Sequence, residues 1–352
     1  MIEWLTILRR VCKSMKKKVL TLALAGVLLM TSLTGCGSLK EDDVVATVGD
    51  QEITAGVANF YARYTQAMYE TYYAAYMGGD DMWTTEAEEG KTYEDSVKDS
   101  VLEELETMIL LEQHAEEYGV SLSDEEKKVI EDAAKQFDDD NKDADKDKVS
   151  GSPETVERVM TLIAMEQKMR TAIEDEADTN VSDEEAAQKS MQYVEFAYTP
   201  ADGESEMTDD EKAEVKKQAE AFAEGAKAAE NFDTYVSEQG LEASTATFDA
   251  DSTNPTAEVV EAADQMKEGE ISDVIETDDG CYVVKLTSLL DREATDLEKE
   301  SIVNERKSEK YNDTCEQWLE EAEIKVHKNV WKKVDFKKLS VTIKQEETES
   351  GE

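Results

Sequence analysis

The sequence predicts an α+β protein in which both chain ends build a mainly helical lobe and a smaller α+β unit is inserted between them. Apolar residues recur at helical spacing through residues 55–173, and only 3 of the 352 residues are prolines. Strand and turn patterns are concentrated in residues 192–286. The strand patterns at residues 44–48 and 323–327 have no partner nearby in sequence, so we expect them to pair with each other.

The acidic composition excludes several classes of function. The chain has 84 Asp and Glu residues against 38 Lys and Arg residues, a formal net charge of −46. Such a charge repels phosphates and anionic lipid headgroups, so we expect no nucleic-acid partner and no docking to lipid through protein charge. With 2 histidines and 4 cysteines, the chain has little material for a zinc site or a Cys/His catalytic pair. We therefore predict neither a metal site nor a cofactor.

Residues 1–35 have the pattern of a secretory signal peptide. Lys16–Lys18 precede an apolar run from Val19 to Met30, which is short for a membrane-spanning helix of ~20 residues. Leu33-Thr34-Gly35-Cys36 resembles the bacterial lipobox, which predicts cleavage before Cys36, lipidation of Cys36 and attachment to the extracytoplasmic face of the cell membrane. The alternative is a plain signal peptide that contains a cysteine. Met15, directly before the lysines, is the expected true start.

The mature chain is predicted to begin with a strand followed by a helix. After the strand at residues 44–48, Gly49-Asp50 reads as a turn. Thr54 is the predicted N-cap of a helix from Ala55 to about Met77, because threonine side chains cap orphan amides at helix starts.

This first helix is unusually rich in aromatic residues. Several rings share one helical face, which favours packing in the core of the lobe itself. Tyr69, Tyr73 and Tyr76 lie off that stripe and are candidate binding contacts, because tyrosine offers adaptable apolar surface to varied partners. Both interpretations remain open at this stage.

Three more long helices and one short helix are predicted in the same lobe. One covers residues 93–118, and a capping box at Ser123 begins the next, which extends to about Phe137. Pro153 begins the third, and a second capping box at Ser182 predicts a further short helix.

Between these helices, an acidic stretch has the spacing of a calcium loop. Asp143, Asp145 and Asp147, with Glu154 in the twelfth position, match ligand positions of an EF-hand. Lys148 stands where the sharp turn of such a loop needs glycine. We therefore predict a solvated acidic loop without a metal.

The middle of the chain predicts a compact α+β unit. Its elements are a strand at 193–198, a charged helix at 208–240, a short helix at 257–266, a strand at 271–275 and a strand at 282–286. A long helix from Thr295 to Glu321 then leads to the strand pattern at 323–327 and a basic tail.

Two segments of this unit resemble the parvulin family of peptidyl-prolyl isomerases. Glu261–Ser272 is similar to the family pattern E-A-A-F-x-L-x-x-G-E-I-S, and Gly280–Leu286 is similar to G-Y-H-I-I-K-L. Val45–Thr54 also resembles the start of secreted foldases of the PrsA and SurA type. Together with the lipobox, this resemblance implies a lipid-anchored foldase whose partners are unfolded or partly folded secreted polypeptides.

The resemblance also implies an altered catalytic pocket. Glu195 stands where the family has its first-strand histidine, and Tyr282 stands where it has the second. Asp264 replaces the phenylalanine that helps to floor the proline pocket. We therefore predict a degenerate site, with Glu195, Tyr282 and Cys281 as its residues. An active isomerase and a non-catalytic structural or binding lipoprotein are the alternatives.

These predictions define the domain organisation. Residues 1–35 form the signal peptide, 36–188 the N-terminal helical chaperone region, 190–290 the parvulin-like domain, and 291–352 the helix and strand that complete the chaperone lobe. The sequence leaves open whether Cys281 and Cys315 are bonded, and whether the chain forms a homodimer.

Overall fold

The computed structural model describes residues 39–77, 79–200 and 207–343. The chain folds into two compact units. The helical lobe contains the described residues up to Glu176 and those from Glu309 onward, and the sheet unit contains those between Ala177 and Ser308. The predicted α+β class is confirmed, with helices dominant in the lobe and a sheet at the centre of the second unit.

A small antiparallel sheet joins the two ends of the chain within the helical lobe. Strand β1 (Val44–Val48) forms a hairpin with β2 (Gln51–Thr54) through Gly49, whose φ of 58° favours glycine. Strand β9 (Ile324–Val326) pairs with the other edge of β1, with Val48 opposite Ile324. The predicted pairing of the two chain ends is therefore confirmed.

The helices of the lobe begin where their caps predict, but two end early. Helix α1 (Ala55–Tyr72) begins after Thr54, whose side-chain oxygen accepts a hydrogen bond from the Val57 amide at 3.4 Å. Its predicted extension to Met77 is wrong, because residues 73–77 form turns. Helix α2 (Tyr93–His114) likewise stops before the predicted Tyr118, and turns lead to Gly119 in a left-handed conformation.

The remaining helices of the first 176 residues include one that the sequence did not predict. Helices α3 (Asp124–Asp140) and α5 (Pro153–Glu174) begin at their predicted serine and proline signals. Between them, α4 (Asp143–Val149) replaces the predicted solvated acidic loop. Lys146 pairs with the carboxylates of Asp138 and Asp143, which offsets the local repulsion that favoured a loop. No cluster of three metal-ligating side chains occurs among the described residues.

Short elements complete the lobe. They are a 3₁₀ turn at Gly79–Thr84, strands β3 (Glu86–Glu88) and β4 (Lys91–Thr92), helix α10 (Lys328–Trp331) and a 3₁₀ turn at Phe336–Lys338. The basic tail packs into the lobe, where Val334, Phe336 and Val341 are buried in its main hydrophobic core.

The sheet unit is built on four antiparallel strands in the order β6-β5-β8-β7. These are β5 (Lys189–Ala197), β6 (Ser244–Phe248), β7 (Ile275–Glu276) and β8 (Gly280–Ser288). The predicted strand at 271–275 is shorter than expected, because Ile271 makes only an isolated bridge to Lys285. The capping box at Ser182 opens a single turn rather than a short helix.

Helices cover both faces of this sheet. Helices α6 (Asp209–Ala228) and α7 (Phe232–Glu238) pack through Phe222 and Phe232 on one face, and α8 (Ala257–Asp264) packs on the other. Helix α9 (Arg292–Glu321) begins in the sheet unit, and its residues from 309 belong to the helical lobe. None of the helices in the described part of the chain is long and apolar enough to cross a membrane.

Candidate functional site

The two central strands of the sheet unit sort their side chains onto opposite faces. On β8, Tyr282, Val284 and Leu286 join the core beneath α8, whereas Val283 joins the core beneath α6 and α7. This alternation follows from the two-residue period of a β-strand. It decides which of the predicted site residues meet.

Glu195 and Tyr282 are brought together. They are direct partners in the register of β5 and β8, so their side chains stand on the same face. Tyr282 is buried and Glu195 is exposed. Burial first, and then the negative charge and hydrogen bond of the Glu195 carboxylate, raise the pKa of Tyr282 to about 12. The Tyr282 hydroxyl, which like any tyrosine is protonated at neutral pH, thus stands beside a carboxylate that accepts hydrogen bonds.

Two apolar side chains flank this pair, and the sequence did not single them out. The Tyr193 ring lies 5.9 Å from the Tyr282 ring, centroid to centroid, and Ile275 is the register partner of Tyr282 on β7. Both are partly buried. Tyr193 could have been predicted from the alternation of residues 193–198. Tyr193 lies two residues before Glu195, so the two side chains share one face of the strand.

Gly280 allows the two strands to approach closely at the end of β8. A Cβ atom at this position would lie 2.6 Å from the Phe196 carbonyl oxygen and 3.0 Å from the Ala197 Cα. Only glycine avoids that overlap, so Gly280 keeps β8 in register with β5 as the strand begins.

Cys281 does not join Glu195 and Tyr282, which corrects its predicted place beside them. It is fully buried, and its register partner is Phe196, on the face beneath α6 and α7. Its Sγ lies 3.3 Å from the Tyr198 hydroxyl oxygen, which donates to Glu276 at 3.2 Å. Adjacent residues of a strand point to opposite faces, so neighbours in sequence such as Cys281 and Tyr282 are separated by the sheet.

Asp264 also lies away from the pair. Its carboxylate accepts a hydrogen bond from the Lys189 Nζ at 2.8 Å, at the C-terminal end of α8. Lys189 precedes Glu195 by six residues on β5, which corresponds to roughly 20 Å along a strand. The aspartate therefore does not place its charge in the space beside Glu195 and Tyr282, as the predicted pocket required. At this pair, the chain departs from the family pattern in two residues: Glu195 and Tyr282 stand where the family has histidines.

The aromatic residues of α1 divide into a packed group and an exposed group. The Tyr69 ring contacts the rings of Tyr73, Trp83 and Tyr93 at centroid distances of 5.7–5.9 Å. Tyr76, in contrast, is 89 % exposed, and Tyr72 is 49 % exposed. Of the predicted contacts, Tyr76 is therefore freely accessible, whereas Tyr69 and Tyr73 are half-buried. The predicted lipidation residue, Cys36, lies outside the described residues.

In the described part of the chain, the cysteines and His114 do not add further reactive side chains beside Glu195 and Tyr282. Cys281 and Cys315 are both free and buried, so they are not bonded to each other. His114 stacks on Trp318 in the helical lobe, at a ring-centroid distance of 4.0 Å.

The sheet unit is therefore an antiparallel sheet covered by helices on both faces, with Glu195 and Tyr282 paired on its central strands. A family model of the PPIC-type PPIase domain matches residues 181–301, and one of the SurA-like N-terminal domain matches residues 4–151. The chain therefore combines a SurA-like N-terminal domain with a parvulin-type domain.

Solved structures with similar chains have low sequence identity to this protein. Foldase protein PrsA from Streptococcus pneumoniae is 21% identical, with 72% of this chain and 98% of that chain covered and a TM-score of 0.31. A chain from the study of the SurA-like chaperones PEB4 and Cj1289 of Campylobacter jejuni is 12% identical, with 80% and 98% covered and a TM-score of 0.29. PrsA from Bacillus subtilis is 17% identical, with 82% and 96% covered and a TM-score of 0.23. No curated protein matches the chain.

Proposed function

We propose that the protein is an extracytoplasmic foldase that holds unfolded or partly folded secreted polypeptides and is anchored by a lipid on Cys36. The SurA-like and parvulin-type matches support the foldase role. The basic and apolar segments before Leu33–Cys36 support secretion and lipidation. We further propose that the parvulin-type domain has a degenerate active site, with Glu195 and Tyr282 in it.

The observation that carries the degenerate site is the pairing of Glu195 with Tyr282. Prolyl isomerisation has a barrier of ~20 kcal/mol, which an apolar, water-poor surrounding lowers by weakening the double-bond character of the amide. The exposed Glu195 carboxylate is strongly hydrated and keeps water at this position. Weak or absent isomerisation is the expected result.

An active isomerase is the second candidate, and one feature of the same pair favours it. The Tyr282 hydroxyl can donate a hydrogen bond, and it stands beside the apolar side chains of Tyr193 and Ile275. In this alternative, Tyr282 donates a hydrogen bond to the twisted prolyl amide and Glu195 orients the hydroxyl group.

A protease-coupled isomerisation assay on the chain without residues 1–35 separates these two candidates. A rate at the uncatalysed background supports the degenerate site. A rate above background that falls at least tenfold in Tyr282→Phe, and less in Glu195→Gln, supports the active isomerase. Glu268→Gln is the matched control, because Glu268 is an exposed carboxylate in the same unit.

Suppression of aggregation tests the holding function. We expect the chain without residues 1–35 to reduce light scattering when a denatured secreted protein is diluted into buffer at an equimolar ratio. No reduction relative to an equally acidic protein would contradict the proposal. Tyr76→Ser tests the proposed contact of the exposed tyrosine, with Leu297→Ser as the control, because Leu297 is also an exposed apolar residue, at 62 %.

The lipid anchor has its own test. In a bacterial host, the wild-type chain should be recovered with the membrane fraction and should incorporate labelled fatty acid. Cys36→Ser should incorporate none, and Cys315→Ser should behave as the wild type, because Cys315 is buried in the helical lobe. Equal labelling of the wild type and Cys36→Ser would rule out lipidation at Cys36.

A further inference from the structure

The helical lobe has a cavity of about 240 Å³ next to strand β2. Its apolar lining comprises the half-buried Val57 and four side chains that are at most 2 % exposed: Ile53, Leu105, Ile109 and Leu162. Polar side chains of β2 and of the first turns of α5 complete the lining, among them Thr155. The volume exceeds the roughly 150 Å³ that holds a benzene ring, and the space is open to solvent, so an apolar side chain can enter it and lie against Val57.

Strand β2 lies beside the cavity and has one unpaired edge in the described part of the chain. It is the outer strand of the sheet β2-β1-β9, and Gln51–Thr54 pair only with β1. An outer strand presents backbone amide and carbonyl groups that another extended chain can pair with. Ile53 belongs both to this strand and to the cavity wall, so an added strand would run past the cavity.

The charge at this place is negative. Glu52 and Glu154 are exposed lining residues, and neither makes an ion pair within the described ranges. Arg158, the basic residue of the lining, is held by Glu112 through two contacts of 2.5 and 2.7 Å between its guanidinium nitrogens and the carboxylate oxygens. Its charge is therefore neutralised by Glu112. The two free carboxylates complement a basic segment.

We propose that this cavity and the free edge of β2 bind an extended segment of an unfolded polypeptide, with one large apolar side chain in the cavity and flanking Lys or Arg residues near Glu52 and Glu154. Backbone pairing with β2 supplies affinity that is independent of sequence, and the cavity and the carboxylates select basic-flanked apolar segments. The inference rests on the proposed holding function and names its class of substrate.

Labelled peptides of nine residues test each element of the proposal by fluorescence anisotropy, with the chain without residues 1–35. A peptide with a central leucine flanked by lysines should bind at least tenfold more tightly than one with a central alanine. A tenfold difference in affinity corresponds to about 1.4 kcal/mol, and burying a leucine side chain contributes about 1.5–3 kcal/mol. Replacing the lysines by glutamates should weaken binding further at low salt. Methylating alternate backbone nitrogens should abolish binding, because a methylated amide cannot donate to a strand edge.

Two protein variants place the binding at this cavity. Thr155→Phe adds a ring to the lining of the cavity and should weaken the lysine–leucine peptide at least tenfold, whereas Thr155→Val, of similar volume, should not. The double variant Glu52→Lys, Glu154→Lys should reduce the preference for lysine over glutamate. Its matched control is Glu116→Lys, Glu131→Lys, two exposed carboxylates of the same lobe that do not line the cavity. Unchanged circular dichroism and thermal midpoints verify that each variant is folded.

The outcomes separate this inference from the proposed function. If the wild type suppresses aggregation but the leucine and alanine peptides bind equally, or Thr155→Phe binds as the wild type does, the cavity is not the binding site and the foldase role stands. Equal binding of the methylated peptide overturns strand addition. If the wild type does not suppress aggregation, the foldase role fails, whatever the peptides show.

Discussion

The helical lobe and the sheet unit differ in where they keep their charges. Among the described residues, the buried charged side chains are Arg63, Glu94, Lys98 and Glu106, and all four lie in the helical lobe. The charged residues of the sheet unit, such as Glu195 and Asp264, remain at least partly exposed. Burying a charge is costly unless it is paired, so the lobe must supply partners that the sheet unit does not need.

Three of the four buried charges obtain their partners from the C-terminal end of the chain. Arg63 donates to the Asp335 carbonyl oxygen at 3.2 Å, and Lys98 donates to the Val334 carbonyl oxygen at 2.5 Å. Glu94 accepts from the Phe336 amide at 2.9 Å. These contacts join residues more than 230 positions apart in sequence. The lobe therefore depends on its last described residues, whereas the sheet unit closes within its own segment.

Replacing the aromatic anchor of this C-terminal segment should have the largest effect. Phe336 is 1 % exposed, its ring lies 4.8 Å from the Trp83 ring, and the Arg63 guanidinium lies over it. Phe336→Ala should destabilise the helical lobe by about 3–5 kcal/mol, because it leaves a cavity and loosens the segment that satisfies the buried charges. Hydrogen exchange at increasing urea concentrations, read separately for the amides of each unit, measures the change in stability.

Phe248→Ala is the matched control for that variant. Phe248 is fully buried in the core of the sheet unit, so its loss should be of similar size but should affect the other unit. If Phe336→Ala lowered the stability of both units equally, the two units would unfold as one and the comparison would be wrong.

The fourth buried charge, Glu106, has no such partner among the described residues, and we expect it to make the stability of the lobe depend on pH. Its Oε1 makes no hydrogen bond to any described residue, and burial, followed by the charge of Glu103, raises its pKa to about 7. The unfolded chain ionises this carboxyl near its ordinary pKa. Its contribution to stability is therefore full below about pH 4.5 and is lost as the pH rises to about 7.

Glu106→Gln removes this titration and should stabilise the lobe at pH 7.5 by about 1–2 kcal/mol relative to its effect at pH 4.5, after discounting for partial solvent screening. The free energy of unfolding, measured at both pH values, gives the difference. Glu116→Gln is the control, because Glu116 is exposed in the same lobe. An equal effect of Glu106→Gln at both pH values would mean that Glu106 is ionised in the folded lobe throughout.

Two kinds of feature could be predicted from the sequence: helix starts, which depend on local side chains, and the pairing of two strands that lack a partner nearby in sequence. The pairing of β1 with β9 could be foreseen, because each strand pattern lacked a neighbour in sequence. Helix starts at Thr54 and Ser123 followed from their side chains, which cap free amides. Helix ends were less predictable, because turns at residues 73–77 and 115–119 replace the last residues of helical pattern.

The candidate site could be predicted only in part. The family pattern identified Glu195 and Tyr282, which the register brings together. It could not show that Lys189 would hold Asp264 at a distance from them, since that ion pair joins residues 75 positions apart. The grouping of Cys281 with Tyr282 followed sequence adjacency, and the two-residue period of the strand overrides it. The role of residues 334–336 was hidden, because partners of buried charges depend on tertiary packing.

The smallest expected effect concerns the exposed carboxylate of the sheet unit. Burial is the largest cause of the raised pKa of Tyr282, and Glu195 is the second. Glu195→Gln should therefore lower the pKa of Tyr282 from about 12 and still leave it above the ordinary value of 10.0. A pH titration of ¹³C-labelled tyrosine by NMR, with Tyr282→Phe for assignment, measures this shift, and Glu268→Gln should leave the pKa of Tyr282 unchanged.

A pKa of Tyr282 that stays at about 12 in Glu195→Gln would mean that burial alone raises it. Glu195 would then act on Tyr282 only as a hydrogen-bond acceptor, which glutamine also supplies, and the active-isomerase alternative would not need its charge.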